Sequence, residues 1–168
     1  KDKTKNTPKG GAATKLSNVK AYQYDMTGHA EQCVERYLEL SKVNKSTLKK
    51  VTTPCIDDHL LTQEDFETEG TLAANASKIV LKALFTARMS RPDLLWAVNM
   101  LAREVTRWNV ACDKRLHRLM CYLEHTKHYT QICFVGDEAS ELMLCLFTDA
   151  SFAADLKDSR STTGAFLY

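Results

Sequence analysis

Asp149 is the residue best suited to chemistry in this 168-residue chain. It follows an apolar run at residues 142–147, and such a run is typical of a buried central strand. An acid at the tip of that strand would be exposed and free to bind a metal ion. Two-metal hydrolysis of a phosphodiester requires several carboxylates around two cations about 4 Å apart. Asp149 supplies one ligand, because Asp155 and Asp158 lie on a turn that should point away from it. The alternative is that Asp149 merely caps a turn.

A second candidate site is a basic, partly aromatic region around a predicted turn between two helices. Its members are Arg103, Arg107, Trp108, Lys114, Arg115 and Arg118. Lysine and arginine contact phosphates, and an aromatic ring can stack on a base or a sugar. The region is therefore a candidate nucleic-acid interface. The alternative is a solvated face in which Trp108 fills the helix junction.

Four histidine and cysteine side chains have spacing that invites a zinc hypothesis: His117 and Cys121, one helical turn apart, and His125 and His128. However, His128 lies beyond the expected helix end, and no other such pair has the spacing of zinc ligands. We expect these side chains to line a helix surface. The sequence also contains no glycine-rich phosphate loop, no Gly-x-Ser-x-Gly motif and no Tyr-x-Asp-Asp motif.

Composition and charge set limits on the class of protein. The net charge of +2 is too small to indicate nucleic-acid binding by itself. Residues 1–20, however, hold six lysines against one acid, which predicts a mobile basic arm or a solvated tail. The six cysteines form no Cys-x-x-Cys pair, so we expect a reducing compartment without disulfides. No signal peptide and no run of about 20 apolar residues occurs, which predicts an intracellular protein, cytoplasmic or nuclear, without a membrane partner.

Apolar periodicity places these candidates on an α+β framework. It predicts a helix around residues 30–38 with Thr27 as N-cap, and three further helices near 73–89, 92–105 and 112–126. Residues 56–71 are acidic and aperiodic, and are expected to form a surface loop or linker. Strands are predicted at 16–24, 129–135, 142–148 and 162–168. The order indicates a helical module joined to the start of a sheet.

Two blocks resemble the polyprotein of copia-type LTR retrotransposons. The run Ser-Arg-Pro-Asp-Leu-Leu-Trp-Ala-Val at 90–98 resembles the family's Thr-Arg-Pro-Asp-Ile-x-x-Ala-Val. Further along, Cys-Tyr-Leu-Glu-His-Thr at 121–126 resembles Arg-Tyr-Leu-Lys-Gly-Thr. The second block covers 147–168, where Thr-Asp-Ala-Ser-Phe-Ala-Ala-Asp at 148–155 resembles Ser-Asp-Ala-Asp-Trp-Ala-Gly-Asp, and Ser-Arg-Ser-Thr-Thr-Gly at 159–164 resembles Arg-Arg-Ser-Thr-Ser-Gly. Upstream, Val-Thr-Thr-Pro at 51–54 resembles the family's Val-x-Thr-Pro.

The resemblance implies four segments. These are a basic arm at 1–20, the end of a reverse transcriptase region with a linker at 21–72, a thumb- or connection-like helical module at 73–128, and truncated ribonuclease-H-like strands at 129–168. Asp149 would be the first ribonuclease H carboxylate, with Mg²⁺ as the cofactor of the complete parent enzyme. The implied partners are an RNA–DNA hybrid or duplex and the remaining polyprotein, with no small-molecule substrate evident.

The chain also departs from the family, since Ser151 replaces an aspartate and Phe152 a tryptophan. Neither catalytic carboxylate set is complete, so we expect the chain to be inactive alone and leave its status as an enzyme undecided. Two alternatives remain: a non-enzymatic nucleic-acid-binding or interaction fragment decayed from such an element, and an unrelated α+β structural domain.

Overall fold

The computed structural model describes residues 20–151 and 161–167, and it confirms an α+β fold. The chain divides into two compact units. One comprises Ala21–Cys133, and the other contains the remaining described residues. The predicted basic arm lies outside the described residues apart from Lys20, as does the turn containing Asp155 and Asp158.

Five α-helices and four strands are present in the described part of the chain. The helices are α1 (Thr27–Ser41), α2 (Gln63–Glu67), α3 (Ala76–Ser90), α4 (Leu95–Arg103) and α5 (Val110–Thr126). Short 3-10 turns occur at Lys45–Thr47, Asp58–Leu60 and Pro92–Leu94. The strands are β1 (Lys20–Tyr24), β2 (Gln131–Val135), β3 (Leu146–Ser151) and β4 (Thr162–Leu167). No helix among these residues is long and apolar enough to span a membrane.

The core of the larger unit lies among α1, α3, α4 and α5, each of which buries one apolar stripe as periodicity predicts. Its largest fully buried side chains are Ile79, Leu94, Leu101, Leu116, Leu119, Met120 and Leu123. Leu48 and Leu72 also belong to this core. The boundary expected between 72 and 73 therefore falls inside one compact unit, because residues on both sides of it share the same interior.

Helix ends differ from the predictions where local hydrogen bonds decide them. Thr27 is the first residue of α1 and not its N-cap. Its backbone N–H donates a hydrogen bond to the Asp25 carboxylate at 2.9 Å. Asn109 caps α5 by accepting from the Cys112 N–H at 3.0 Å, so this helix begins before residue 112. Pro92 occupies the first turn after the α3 break, as predicted.

The acidic segment at 56–71 has more order than the predicted loop. Thr62 and Asp65 form a reciprocal capping box that starts α2, a helix of only five residues. Farther along, the Gly70 N–H donates to the Trp108 carbonyl, and the Val110 N–H donates to the Thr68 carbonyl. These backbone bonds hold the segment against the start of α5.

The four described strands pair in two separate two-stranded sheets. β1 pairs with β2, while β3 pairs with β4 in an antiparallel hairpin. β3 begins at Leu146 and not at residue 142, because its ladder starts with Leu146 opposite Leu167 and no described residue pairs with 142–145. The prediction of a central strand at 142–148 is therefore wrong at its start. Tyr168, predicted to end the last strand, lies outside the described residues.

Candidate nucleic-acid interface and metal site

The basic side chains of α5 bind the segment that precedes α3. Lys114 Nζ lies 2.6 Å from an Asp65 carboxylate oxygen, and Arg115 Nη2 lies 2.7 Å from Asp58 Oδ1. Arg118 donates to the carbonyl and the hydroxyl oxygen of Thr53, at 2.9 and 3.0 Å. The structure thus brings three of the predicted interface residues together. It also gives each of them a partner within the chain.

The Asp65 carboxylate is the most strongly held of these partners. Its hydrogen bond from Lys114, followed by that from the Thr62 backbone N–H, lowers the pKa of Asp65. The ion pair and the capping box therefore favour the same charged state of one side chain. A phosphate approaching Lys114 has to compete with this carboxylate.

Arg103 and Arg107 lie at the C-terminal end of α4 and beyond it. Arg107 forms an exposed ion pair with Glu104 at 3.3 Å, and the Arg103 guanidinium lies 3.9 Å from the Met100 sulfur. Both arginines are exposed. Because solvent screens surface ion pairs, the bond to Glu104 holds the Arg107 side chain weakly.

Trp108 is only 5 % exposed, and its indole N–H donates to Asp113 Oδ1 at 2.7 Å. Asp113 also accepts from the backbone N–H and hydroxyl of Thr71, at 2.6 and 2.9 Å. The ring therefore fills the junction between α4 and α5, which is the alternative left open by the sequence. In this conformation its face is not available for stacking on a base.

Asp149 lies inside β3, opposite Gly164. The prediction that it lies at the tip of a strand is therefore wrong. Its neighbours in the ladder are Thr148 and Ala150, which offer no further carboxylate. In the described ranges no group of three or more histidine, cysteine, aspartate or glutamate residues could hold a metal ion. Mg²⁺ is usually bound through one or two carboxylates together with waters and substrate phosphates, and Asp149 is the carboxylate that β3 offers.

The histidines considered for zinc have other partners. His117 Nδ1 lies 2.8 Å from the Tyr37 hydroxyl, and His125 Nδ1 lies 2.9 Å from the Cys121 carbonyl oxygen. The His128 ring packs edge-on against Tyr129. Burial raises the pKa of the Cys121 thiol, which disfavours the thiolate that zinc requires. The expectation that these side chains line a helix surface is wrong for Cys121, which is 4 % exposed and belongs to the core.

Sequence analysis assigned no functional role to Arg91, whose guanidinium donates four hydrogen bonds. It is 2 % exposed. Its guanidinium contacts both carboxylate oxygens of Asp93, at 2.9 and 2.7 Å. It also donates to the carbonyl and the hydroxyl oxygen of Thr126, both at 2.8 Å. One side chain therefore ties the α3–α4 turn to the end of α5.

Two tyrosines complete this Arg91 cluster, which we define as Arg91, Asp93, Tyr122, Thr126 and Tyr129. The Tyr122 hydroxyl donates to Asp93 Oδ2 at 3.0 Å. The Arg91 guanidinium lies 5.8 Å from the Tyr122 ring centre and 5.2 Å from that of Tyr129, within cation–π range. Burial, followed by the Asp93 bond, raises the pKa of Tyr122. The sequence signal that could have indicated this cluster is the Arg-Pro-Asp turn between two apolar helices.

Comparisons with known protein families, curated proteins and solved structures found no match to the chain.

Proposed function

We propose that this chain is part of a copia-type LTR retrotransposon reverse transcriptase/ribonuclease H polyprotein. In this proposal, the helices of residues 73–128 are the thumb- or connection-like module that contacts an RNA–DNA hybrid or duplex. Residues 129–168 are the first strands of the ribonuclease-H-like domain. Synthesis of DNA and removal of the RNA strand belong to the complete parent, with Mg²⁺ as its cofactor.

The Arg91 cluster is the observation that carries this proposal. The blocks at 90–98 and 121–126 share four polar residues with the family patterns, namely Arg91, Asp93, Tyr122 and Thr126. All four contact one another directly or through Arg91. Two short matches separated by more than 20 residues would have no reason to converge if each were accidental. Their convergence supports treating them as one inherited packing unit.

The shared apolar residues support the same proposal. Ala97, Val98 and Leu123 occur in both the chain and the family patterns, and all three are buried. Thus the resembling blocks contribute one polar cluster and part of the adjoining core.

The alternative, a non-enzymatic interaction fragment decayed from such an element, is favoured by a different observation. Lys114, Arg115 and Arg118 each bind a group on the segment before α3. Positive charge used in this way is less available to phosphates. Under this alternative α5 organises the fold, and nucleic acid is not its partner.

The genomic DNA that flanks this reading frame tests the family assignment. The DNA on both sides of this frame should be translated in all frames. A Tyr-x-Asp-Asp motif upstream and an acid-bearing helical segment downstream would support the polyprotein. Host exons on both sides would contradict it.

A binding titration tests the nucleic-acid contact. The 168-residue chain should bind RNA–DNA hybrids of unrelated sequence with equal affinity. For about three phosphate contacts, a fourfold rise in salt should weaken binding about 40-fold. Arg103→Gln with Arg107→Gln should reduce affinity and the salt slope, whereas Lys50→Gln, an exposed matched control, should not. Affinity that is independent of salt, or that is strongly sequence-dependent, would contradict the contact.

The same preparation should release no label from an RNA–DNA hybrid and extend no primer with Mg²⁺ or Mn²⁺. The reason is that one positioned carboxylate cannot hold two cations. Turnover that copurifies with the chain and disappears in Asp149→Asn would show that the carboxylate set is larger than proposed.

A further inference from the structure

The outward face of α3 is apolar along its centre and basic along its edges. Leu81, Phe85 and Met89 are 56 %, 52 % and 44 % exposed. Their spacing of four residues places them in one row along the helix, spanning about 12 Å at 1.5 Å per residue. We call these three residues the α3 row. The opposite side of the helix is buried, so the row is the part of α3 that its own core leaves uncovered.

Positive charge flanks the α3 row. At 100° per residue, Lys82 lies to one side of Phe85 and Arg88 to the other, and Lys78 lies one turn from Leu81. Lys82 reaches the neutral Gln32 amide at 3.0 Å, and Lys78 reaches the Asn75 amide at 2.9 Å. These lysines therefore make neutral hydrogen bonds here.

Among the described residues, neither the helix that bears this face nor the helix that follows it carries an acid. α3 and α4 contain no aspartate or glutamate, and the acid between them, Asp93, binds Arg91. On α1, Glu31 and Glu35 line a cleft of about 400 Å³ that also contains Lys45 and Lys127. The α3 face is consequently an apolar row in a positive field.

Phe85, the middle residue of the α3 row, is already oriented. The His29 ring packs against it with centroids 5.2 Å apart and planes tilted by 57°. His29 is itself held by a 2.7 Å hydrogen bond between its Nδ1 and the Thr86 hydroxyl. An anchor that is held before binding loses less conformational entropy when a partner covers it.

From this geometry we propose that the α3 row is a docking site for an amphipathic helix of a protein partner whose apolar stripe is flanked by acidic residues. Two helices pack by fitting a ridge of side chains four residues apart into a groove of the other helix, and the α3 row is such a ridge. Acidic flanks complement the three basic side chains. This docking site does not depend on the family assignment. If the translated flanking DNA contradicted the polyprotein, the docking proposal would be unaffected.

Two other occupants fit less well. A second copy of α3 would place basic edges against basic edges with no acid between them. A nucleic acid would take its phosphates to the lysines, but Leu81 and Met89 offer it neither stacking nor hydrogen bonds. The aliphatic side chains on both sides of Phe85 favour a protein helix.

The test uses three synthetic helical peptides with the same leucine stripe and glutamate, glutamine or lysine flanks. Binding to the ¹⁵N-labelled 168-residue chain is followed by amide chemical shifts and by fluorescence anisotropy. The glutamate peptide should bind about tenfold more tightly than the glutamine peptide at low salt, and the difference should shrink as salt screens it. Shifts should centre on residues 78–89.

Variants separate the apolar and charged contributions. Phe85→Ala or Leu81→Ala should weaken all three peptides, by about tenfold for the central anchor. Having two such variants keeps the test valid if one is poorly folded. Lys82→Gln with Arg88→Gln should reduce glutamate-peptide affinity to that of the glutamine peptide. Leu60→Ala and Lys50→Gln, exposed elsewhere, serve as matched controls.

Several outcomes would overturn the proposal. They are equal binding of the acidic and basic peptides, shifts outside α3, and no binding up to about 1 mM peptide. If an RNA–DNA hybrid shifts the α3 amides and the same variants abolish that effect, the face is a nucleic-acid site. If the α3 shifts depend on protein concentration without any peptide, the occupant is a second copy.

Discussion

Replacing Arg91 by methionine should lower the free energy of unfolding of the larger unit by about 3 kcal/mol. Arg91 is 2 % exposed, and its removal takes away one of the two hydrogen bonds that the Thr126 carbonyl accepts; the other comes from the Tyr129 backbone N–H at 2.9 Å. Loss of a hydrogen bond from a charged donor costs about 2 kcal/mol. The ion pair to Asp93 adds about 1 kcal/mol, a reduced value because that carboxylate is 35 % exposed and screened by solvent. Methionine preserves much of the side-chain volume, which limits cavity formation.

Urea unfolding at 25 °C, followed by far-ultraviolet circular dichroism, measures this change as a shift in midpoint at constant slope. Asp93→Ala should cost a comparable amount, since it leaves a guanidinium charge buried without its carboxylate. The double variant should cost less than the sum of the two, by about 1 kcal/mol, because both changes remove the same pair. The matched control is Arg88→Met, an exposed arginine in the last turn of α3, which should change stability by less than about 0.5 kcal/mol. If Arg91→Met costs no more than this control, the cluster does not hold the helices together.

Three further predictions concern other parts of the chain. Gly70→Ala should destabilise by about 2 kcal/mol in the same assay, because the new Cβ would lie 2.6 Å from the Asn109 carbonyl oxygen; no loss would mean that the backbones separate easily. The pKa of Asp65 is lowered from 3.8, so its contribution to the free energy of unfolding is present above that pH and is lost as pH falls through the lower pKa of the folded state. Asp65→Asn should therefore reduce the loss of stability with pH below about pH 4. An unchanged acid-unfolding profile would refute this. In hydrogen exchange, amides of 142–148 should exchange faster than those of α5, since Leu142, Leu146 and their neighbours are exposed. Equal protection in a monomer would contradict the proposal that residues 129–168 are the first strands of a ribonuclease-H-like domain.

Periodicity was sufficient for the long helices because each buries one continuous stripe. The same rule could not find α2, whose five residues are too short to show a period. Its available signal was the capping pattern of Thr62 followed three residues later by Asp65. Strand positions were partly readable from β-branched and apolar runs. Strand pairing was not, because β1 and β2 are separated by more than 100 residues and only the fold decides which strands meet.

The predicted basic region illustrates what single-chain reasoning cannot provide. Lys114 and Arg115 were correctly recognised as a local concentration of positive charge. Their acidic partners lie 49 and 57 residues away, which no local pattern indicates. Trp108 likewise had to be assigned either to a surface or to a junction, and its bond to Asp113 decides for the junction.

The pairing of β1 with β2 has a consequence for protein engineering. Neighbouring strands lie about 5 Å apart, so the chain enters and leaves the helical unit at nearly the same place. A segment with adjacent ends can be spliced into a surface turn of a host protein without stretching either of them. It can also be circularly permuted by joining residues near 20 and 135 and opening the chain at an exposed site such as Asn44. We therefore expect that residues 20–135 can be transferred into another protein as one segment.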